Sequence, residues 1–331
     1  MASSSVFLFR ANRTLRTYSI EKTASERAST QLFRGNTLGC APDVHYPTVM
    51  NAIPIVHDAA EMQSRIASWR KSNDKIALIP TMGALHEGHL AHLIHARARA
   101  ERVVVSIFVN PAQFAAHEDF DRYLRDPESD ARKLQSAGGV DLIYAPDTKQ
   151  IYPEGVVSKP VLDGPASGLE SDFRPHFFGG VANVVEKLFR QVMPDFATFG
   201  EKDYQQLLVV RQLVRQLDMN IDILAVPIVR EGDGLALSSR NAYLAVEERK
   251  IVRALFCTLQ NVAARVRAGH DIAQAEAEGN AALLSAGFDC VDYCAIRNAE
   301  TLRPIRELNA PSRILAAAWL GKTRLIDNLA V

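Results

Sequence analysis

Pro80-Thr81-Met82-Gly83-Ala84-Leu85-His86-Glu87-Gly88-His89 decides how this chain folds. The apolar run Ile76-Ala77-Leu78-Ile79 precedes it, and Leu90-Ala91-His92-Leu93-Ile94 follows. That order reads as a buried strand, a turn that needs Gly83, and a helix beginning near Gly88. The first N–H groups of a helix lack partners and its dipole is positive there, which stabilises an anion by about 0.3–1 kcal/mol. His86 and His89 are spaced to present both imidazoles from one helix face. Either histidine alone reads as a cap or a packed ring. The pair, set between glycines after a strand, reads as a phosphate site with tunable donors. His92 and His95 lie deeper in the helix and read as surface or satisfied residues. A His-x-x-His series with no thiolate or carboxylate cluster nearby does not read as a metal site.

Working outward, strands are expected at Ile76–Ile79, Arg102–Val109, Val140–Tyr144, Phe196–Phe199 and Ile221–Val226. Helices are expected between them at His89–Ala100, Pro127–Ala137, Gly180–Val192 and Tyr204–Leu217. In the last of these, Leu207, Val210, Val214 and Leu217 recur at helical spacing. Apolar strands alternating with helices predict a doubly wound parallel α/β sheet covered on both faces. Ligands in such sheets lie beyond the carboxyl ends of the strands, so the loops after Ile79, Val109, Phe199 and Val226 carry the interest. After about Ile228 the pattern changes to Ala-rich helices, Val246–Arg267 and Ile272–Ser285. Short strands follow near Val291–Ile296, Ile314–Trp319 and Arg324–Ile326. The expected division is 50–228 as the parallel-sheet part and 229–331 as a smaller α+β domain.

Composition narrows the function. The 331 residues are 47% hydrophobic, enough for a sizeable core. Thirty-eight basic and 38 acidic residues cancel, so no overall field favours nucleic acid or an anionic membrane. Cys40, Cys257, Cys290 and Cys294 show no metal spacing, and a reducing compartment is expected. No apolar run approaches a membrane span. Residues 1–49 are rich in Ser, Arg and Thr, which reads either as an organelle transit peptide or as translation from an upstream start codon before Met50. They are set aside from the fold as a disordered extension. A cytoplasmic location is expected, with an organelle the alternative.

Other loops add donors. Pro111 restricts Asn110 to an extended shape, and Gln113 offers both donor and acceptor to a small hydroxy acid. Gly200-Glu201-Lys202-Asp203 opens the helix from Tyr204. There Lys202 suits phosphate oxygens, Asp203 suits a helix cap or a ribose hydroxyl, and Gln206 shares the face. Arg230-Glu231-Gly232-Asp233-Gly234-Leu235-Ala236-Leu237-Ser238-Ser239-Arg240-Asn241 reads as a mobile loop, freed by two glycines and carrying hydroxyl and guanidinium donors. Together these loops point to an anionic nucleotide. No Gly-x-x-x-x-Gly-Lys-Ser/Thr and no Gly-x-Gly-x-x-Gly after a strand is present, which disfavours a P-loop or dinucleotide site.

These segments resemble the pantoate–β-alanine ligase family of the His-x-Gly-His nucleotidyltransferases. The likeness runs from Met50 to Val331. It rests on Pro80–His89, Phe108–Phe114, Tyr152-Pro153-x-Gly155, Phe199–Gln206, Asp233–Leu244 and Thr323–Asn328. The resemblance implies a Rossmann-like fold, a homodimer, Mg²⁺, and AMP-forming condensation of pantoate with β-alanine through an acyl adenylate. It further implies His89, His86 and Lys202 as catalytic groups, with His89 the proton donor. The implied ATP site comprises Met82, Gly83, Ala84, Leu85, His86, Glu87, Gly88, His89, Gly200, Glu201, Lys202, Asp203, Val229, Leu237, Ser238, Ser239 and Arg240. Gln113, Gln206 and Asn110 would hold pantoate or β-alanine. Metal ligands stay unassigned. The chain departs from the family pattern at His176-Phe177, Asn183, Ala115, Leu124 and Leu237. The alternatives are another nucleotidyltransferase of this superfamily, or a catalytically weakened nucleotide-binding relative.

Overall fold

A computed structural model describes residues 52–115, 118–155 and 162–331; the N-terminal extension and Cys40 lie outside the described residues. The larger sheet contains β1 (Ile55–Val56), β2 (Ile76–Thr81), β3 (Arg102–Ile107), β4 (Leu142–Tyr144), β5 (Phe196–Gly200) and β6 (Asp222–Val226). Their spatial order is β1-β4-β3-β2-β5-β6, and every pairing is parallel. Helices α1 (Ala59–Lys71), α2 (Glu87–Arg97), α3 (Pro127–Ala137), α4 (Thr148–Ile151), α5 (Glu170–Phe173), α6 (Phe177–Val192) and α7 (Tyr204–Gln216) connect or cover it.

Strand alternation shows why both faces are covered. In β2, Ile76 and Leu78 join the cluster that contains Met62 and Ile66 of α1 and Leu188 and Val192 of α6. Ala77 and Ile79 point to the other face, among Leu93 and Ala96 of α2 and Leu134 of α3. Each fully buried Ile or Leu contributes about 1.5–3 kcal/mol relative to exposure. The sheet is doubly wound, as the alternating pattern predicts.

Four elements went unread in the sequence, β1, α1 and the single-turn helices α4 and α5. Asp58 caps α1, its carboxylate accepting from the N–H groups of Ala60 and Glu61. Asp58 followed by Glu61 was a legible start signal.

The chain runs outward from β2 through β3 and β4, then returns to β5 on the other side of β2. The carboxyl ends of β2 and β5 thus border the switch point, where connections diverge and leave a crevice. The loops carrying His86 and Lys202 follow those two strands.

Beyond β6, α8 (Val246–Ile251), α9 (Ala254–Arg267) and α10 (Ile272–Ser285) precede β7 (Cys290–Asn298), β8 (Ser312–Leu320) and β9 (Thr323–Ala330). The strands form an antiparallel sheet in the order β7-β8-β9. Leu255, Leu259 and Val262 of α9 pack on Ile314, Ala316 and Ala318 of β8. The single helix expected over Val246–Arg267 is broken between Ile251 and Ala254, where the chain turns and buries Val252 completely.

Candidate functional site

The turn after β2 is under backbone constraint. Gly83 has φ +82° and Ala84 has φ +50°, a left-handed conformation that costs a residue with a side chain free energy. Asp130, buried on α3, holds this turn by accepting the N–H of Ala84 at 2.9 Å and of Leu85 at 2.8 Å. Lys133 Nζ donates to the Leu85 carbonyl at 2.6 Å. The helix that follows starts at Glu87 with His86 as its cap.

The two histidines lock each other. His86 Nδ1 accepts the Gly88 N–H at 3.1 Å, and His89 Nδ1 accepts the His86 N–H at 3.3 Å. Their ring centroids lie 4.1 Å apart. A Cβ on residue 88 would sit 2.8 Å from the His86 ring, so only glycine lets that ring fold back over the helix start. One N–H of the helix start is therefore taken by His86 rather than left for an anion.

With each Nδ1 used as an acceptor, a neutral ring carries its proton on Nε2. Burial, then the Lys202 charge, push His86 down to about 4. Burial, then the neighbouring His86 and His92, push His89 well below the usual imidazole range. Both rings are neutral donors at pH 7.

The surface alternative for His92 is corrected. The residue is satisfied, its Nδ1 lying 2.8 Å from Thr198 Oγ1 of β5, but it lines the crevice rather than the surface. Burial, then His95, push it down to about 4.

A cavity of about 490 Å³ occupies the switch point. Met82, His86, Gly88 and His89 line it from the β2 side, and Gly200, Lys202, Asp203 and Gln206 from the β5 side. Gln113, Val229, Leu237, Ser238, Ser239 and Arg240 complete the expected set that reaches it.

Other expected residues do not reach it. Gly83, Ala84 and Leu85 are buried behind the wall and shape it through the backbone. Glu87 faces solvent. Glu201 turns to Arg313, with Arg313 Nη2 donating to its carboxylate at 3.0 Å. Asn110 is fully buried: its amide donates to the Gly180 carbonyl and accepts from Ala112 N–H and the Tyr152 hydroxyl. Its direct contact with substrate is withdrawn; it braces the turn that carries Gln113. Asp203 precedes α7 without a side-chain cap bond, so the capping reading is also corrected.

Sequence reasoning missed the acidic and basic residues around the loops. Arg240 Nε and Nη2 each donate to the Asp119 carboxylate at 3.1 Å, and the Ser239 hydroxyl donates to the Ala84 carbonyl at 3.1 Å. The loop ending in Arg240 is therefore docked on the β2 turn. Arg174 makes a bidentate pair with Glu118, both bonds 2.8 Å, and its guanidinium stacks 3.9 Å over the Phe177 ring. Phe177 lines the cavity, while His176 Nε2 lies 3.6 Å from Glu118. The departure at this position thus supplies a stacking surface for Arg174. No signal in the sequence pairs Asp119 with Arg240 across that separation.

The profile of the Pantoate-beta-alanine ligase family matches residues 54–330. The chain belongs to this family. It is 51% identical over 279 residues to a pantothenate synthetase of Bradyrhizobium sp., covering 84% of this chain and 98% of that protein. A pantothenate synthetase of Rhodopseudomonas palustris is 51% identical over 287 residues, covering 86% of this chain and 99% of the relative. The crystal structure of pantothenate synthetase from Thermus thermophilus superposes with TM-score 0.78 at 44% identity, over 83% of this chain and 98% of that one. The Francisella tularensis pantoate-beta-alanine ligase, solved with beta-gamma ATP and beta-alanine, superposes with TM-score 0.72 at 33% identity, over 84% of this chain and 98% of that one. The fold is that of the pantoate–β-alanine ligases, a parallel α/β sheet with a smaller antiparallel sheet at the carboxyl end.

Proposed function

We propose that the chain condenses (R)-pantoate with β-alanine at the expense of ATP, forming pantothenate, AMP and pyrophosphate through pantoyl adenylate. The observation that carries this reading is the meeting of His86, His89, Lys202 and Arg240 in one cavity with Gln113 and Gln206. Neutral donors and cations serve the phosphates, and uncharged amides serve a polyol carboxylate.

In the first step a pantoate carboxylate oxygen bonds the α-phosphorus, and the bond to the bridging oxygen of the β-phosphate breaks. Pyrophosphate leaves. His86 and His89 donate Nε2–H bonds to phosphate oxygens, while Lys202 and Arg240 supply fixed positive charge. At neutral pH this makes His89 a neutral hydrogen-bond donor through Nε2–H. In the second step the β-alanine amine attacks the acyl carbon, loses a proton, and AMP leaves with the electron pair of the broken C–O bond. Alignment of the two reactants supplies much of the rate.

The described residues hold no cluster of His, Cys, Asp or Glu able to cage a metal. Mg²⁺ fits this site as part of the nucleotide substrate, bound by phosphate and water, where it neutralises the pyrophosphate. Residues 50–228 are proposed as the nucleotide and pantoate part, and 229–331 as the lid that carries Arg240.

A homodimer is proposed from the outer edge of β6. Ile223 and Leu224 are half-buried there, and Ile94 of α2 beside them is 74% exposed. Light scattering on wild type and Ile94→Glu tests this: a dimer that dissociates in the variant supports it, and a wild-type monomer ends it. A cytoplasmic location is proposed from cysteine positions that form no secreted disulfide framework in the sequence, and mass spectrometry of the native N-terminus checks it. No helix among the described residues is long and apolar enough to cross a membrane.

Purified protein given ATP, Mg²⁺, pantoate and β-alanine tests the reaction. AMP release that requires both organic substrates supports it. Nucleotide bound without turnover favours the weakened relative, and turnover with a different acid favours another nucleotidyltransferase.

A further inference from the structure

The turn Glu201–Asp203 that carries Lys202 has one side-chain anchor of its own, the Glu201 carboxylate paired with Arg313 of β8. Asp203 makes no cap bond, and its carboxylate is 3.9 Å from Lys202 Nζ. The turn's other support comes from the far end of the chain. Asn328 of β9 is 2% exposed, and its Nδ2 donates at 2.9 Å both to the Glu201 carbonyl and to the Lys202 carbonyl. Two carbonyl acceptors converging on one amide fix its orientation, because the oxygen end of the amide would face them with repulsion. Aspartate has no donor to offer, and an aliphatic residue would leave both carbonyls without these partners.

The adjacent residue serves the other wall. Asp327 accepts from Arg230 at 2.7 and 2.8 Å, and Arg230 stands at the base of the segment that leads to Ser238 and Arg240. Arg230 Nη2 also donates to the Asn328 carbonyl at 3.2 Å. Neighbouring positions on one strand thus grip the Lys202 turn and the root of the Arg240 loop.

We propose that Asn328 is the positioning residue of Lys202, setting from the last strand where the lysine meets the nucleotide phosphates. The inference rests on the reading of Lys202 as a phosphate contact. Asn328 itself touches no reacting atom; it acts through the backbone of the turn.

The test is a double-variant cycle read by the dissociation constant of Mg·ATP, measured by calorimetry without pantoate so that nothing turns over. K202A weakens ATP binding, and N328A weakens it about tenfold, the order of one hydrogen bond to a charged group. On the K202A background, N328A adds less than about twofold, because the residue it positions is gone. N328S, whose short hydroxyl cannot span both carbonyls, follows the same pattern and serves if N328A does not fold. The His86 titration followed by NMR rises in N328A, since part of its depression comes from the Lys202 charge. If K202A binds ATP like wild type, the reading of Lys202 fails. If K202A weakens binding while N328A and N328S do not, or do so undiminished on the K202A background, that reading stands and the positioning proposal is overturned.

Discussion

His89 Nδ1 accepts the backbone N–H of His86 at 3.3 Å, so the second histidine of the motif holds the first in place and fixes its own tautomer. The ring is thereby left with Nε2–H as its donor. Replacing it removes a preorganised hydrogen bond at the place where phosphate charge develops. His89→Ala is expected to lower the rate of AMP release by about 10²–10³-fold with ATP, pantoate and β-alanine saturating. A variant within about threefold of wild type would remove His89 from the chemistry.

The same burial makes stability depend on pH. Burial pushes His86 and His92 down to about 4 in the fold and His89 well below the usual imidazole range, against about 6.5 in the unfolded chain. Between about pH 6.5 and 4 the unfolded chain therefore binds more protons than the folded one. Stability is full above 6.5 and falls as pH drops through that window, by at most about 1.4 kcal/mol per pH unit for each proton. Urea unfolding at pH 7.5 and 5.0 checks the sign. Part of the loss disappears in His92→Gln, which does not titrate; an equal loss in that variant would contradict the assignment of His92.

Asp119 occupies the Arg240 guanidinium that phosphate would need, and each group holds the other's pKa toward its charged form. Asp119→Asn weakens the clasp while keeping the shape. Hydrogen exchange of backbone amides 233–241 is expected to quicken in the ligand-free variant, and Mg·ATP is expected to slow it again. Exchange unchanged from wild type would show that the loop is anchored elsewhere.

Gly180 of α6 lies against the Gln113 turn. A Cβ there would overlap the Ala112 carbonyl and come within 2.9 Å of the Gln113 nitrogen. Gly180→Ala therefore has to push the turn away, at a cost of about 1–3 kcal/mol. Thermal unfolding measures that cost. The KM for pantoate is expected to rise more than that for ATP, and an equal rise in both would argue against Gln113 as a pantoate contact.

Much of the fold was legible because its signals are local. The apolar run Ile76–Ile79, the constrained turn at Gly83 and the helical spacing Leu207, Val210 and Val214 each specify their element without reference to distant residues. The pairings that assemble the cavity wall are not local. Asp130 holding the Ala84 turn, Asp119 facing Arg240, and Asn328 holding the Lys202 carbonyls bring together positions far apart in the chain. Periodicity placed His92 on its helix but not toward the crevice. The chemistry of an amide made Asn110 look available, whereas its hydrogen bonds are spent within the wall.

The central claim is that the groups at the ends of β2 and β5 act on one nucleotide and one acid. Release of AMP by the purified chain, followed with each organic substrate omitted in turn, tests it most directly. Stoichiometric AMP and pantothenate from ATP, pantoate and β-alanine, with loss of sustained AMP release when either is left out, is the predicted result. ATP bound without AMP release in the complete mixture would contradict it.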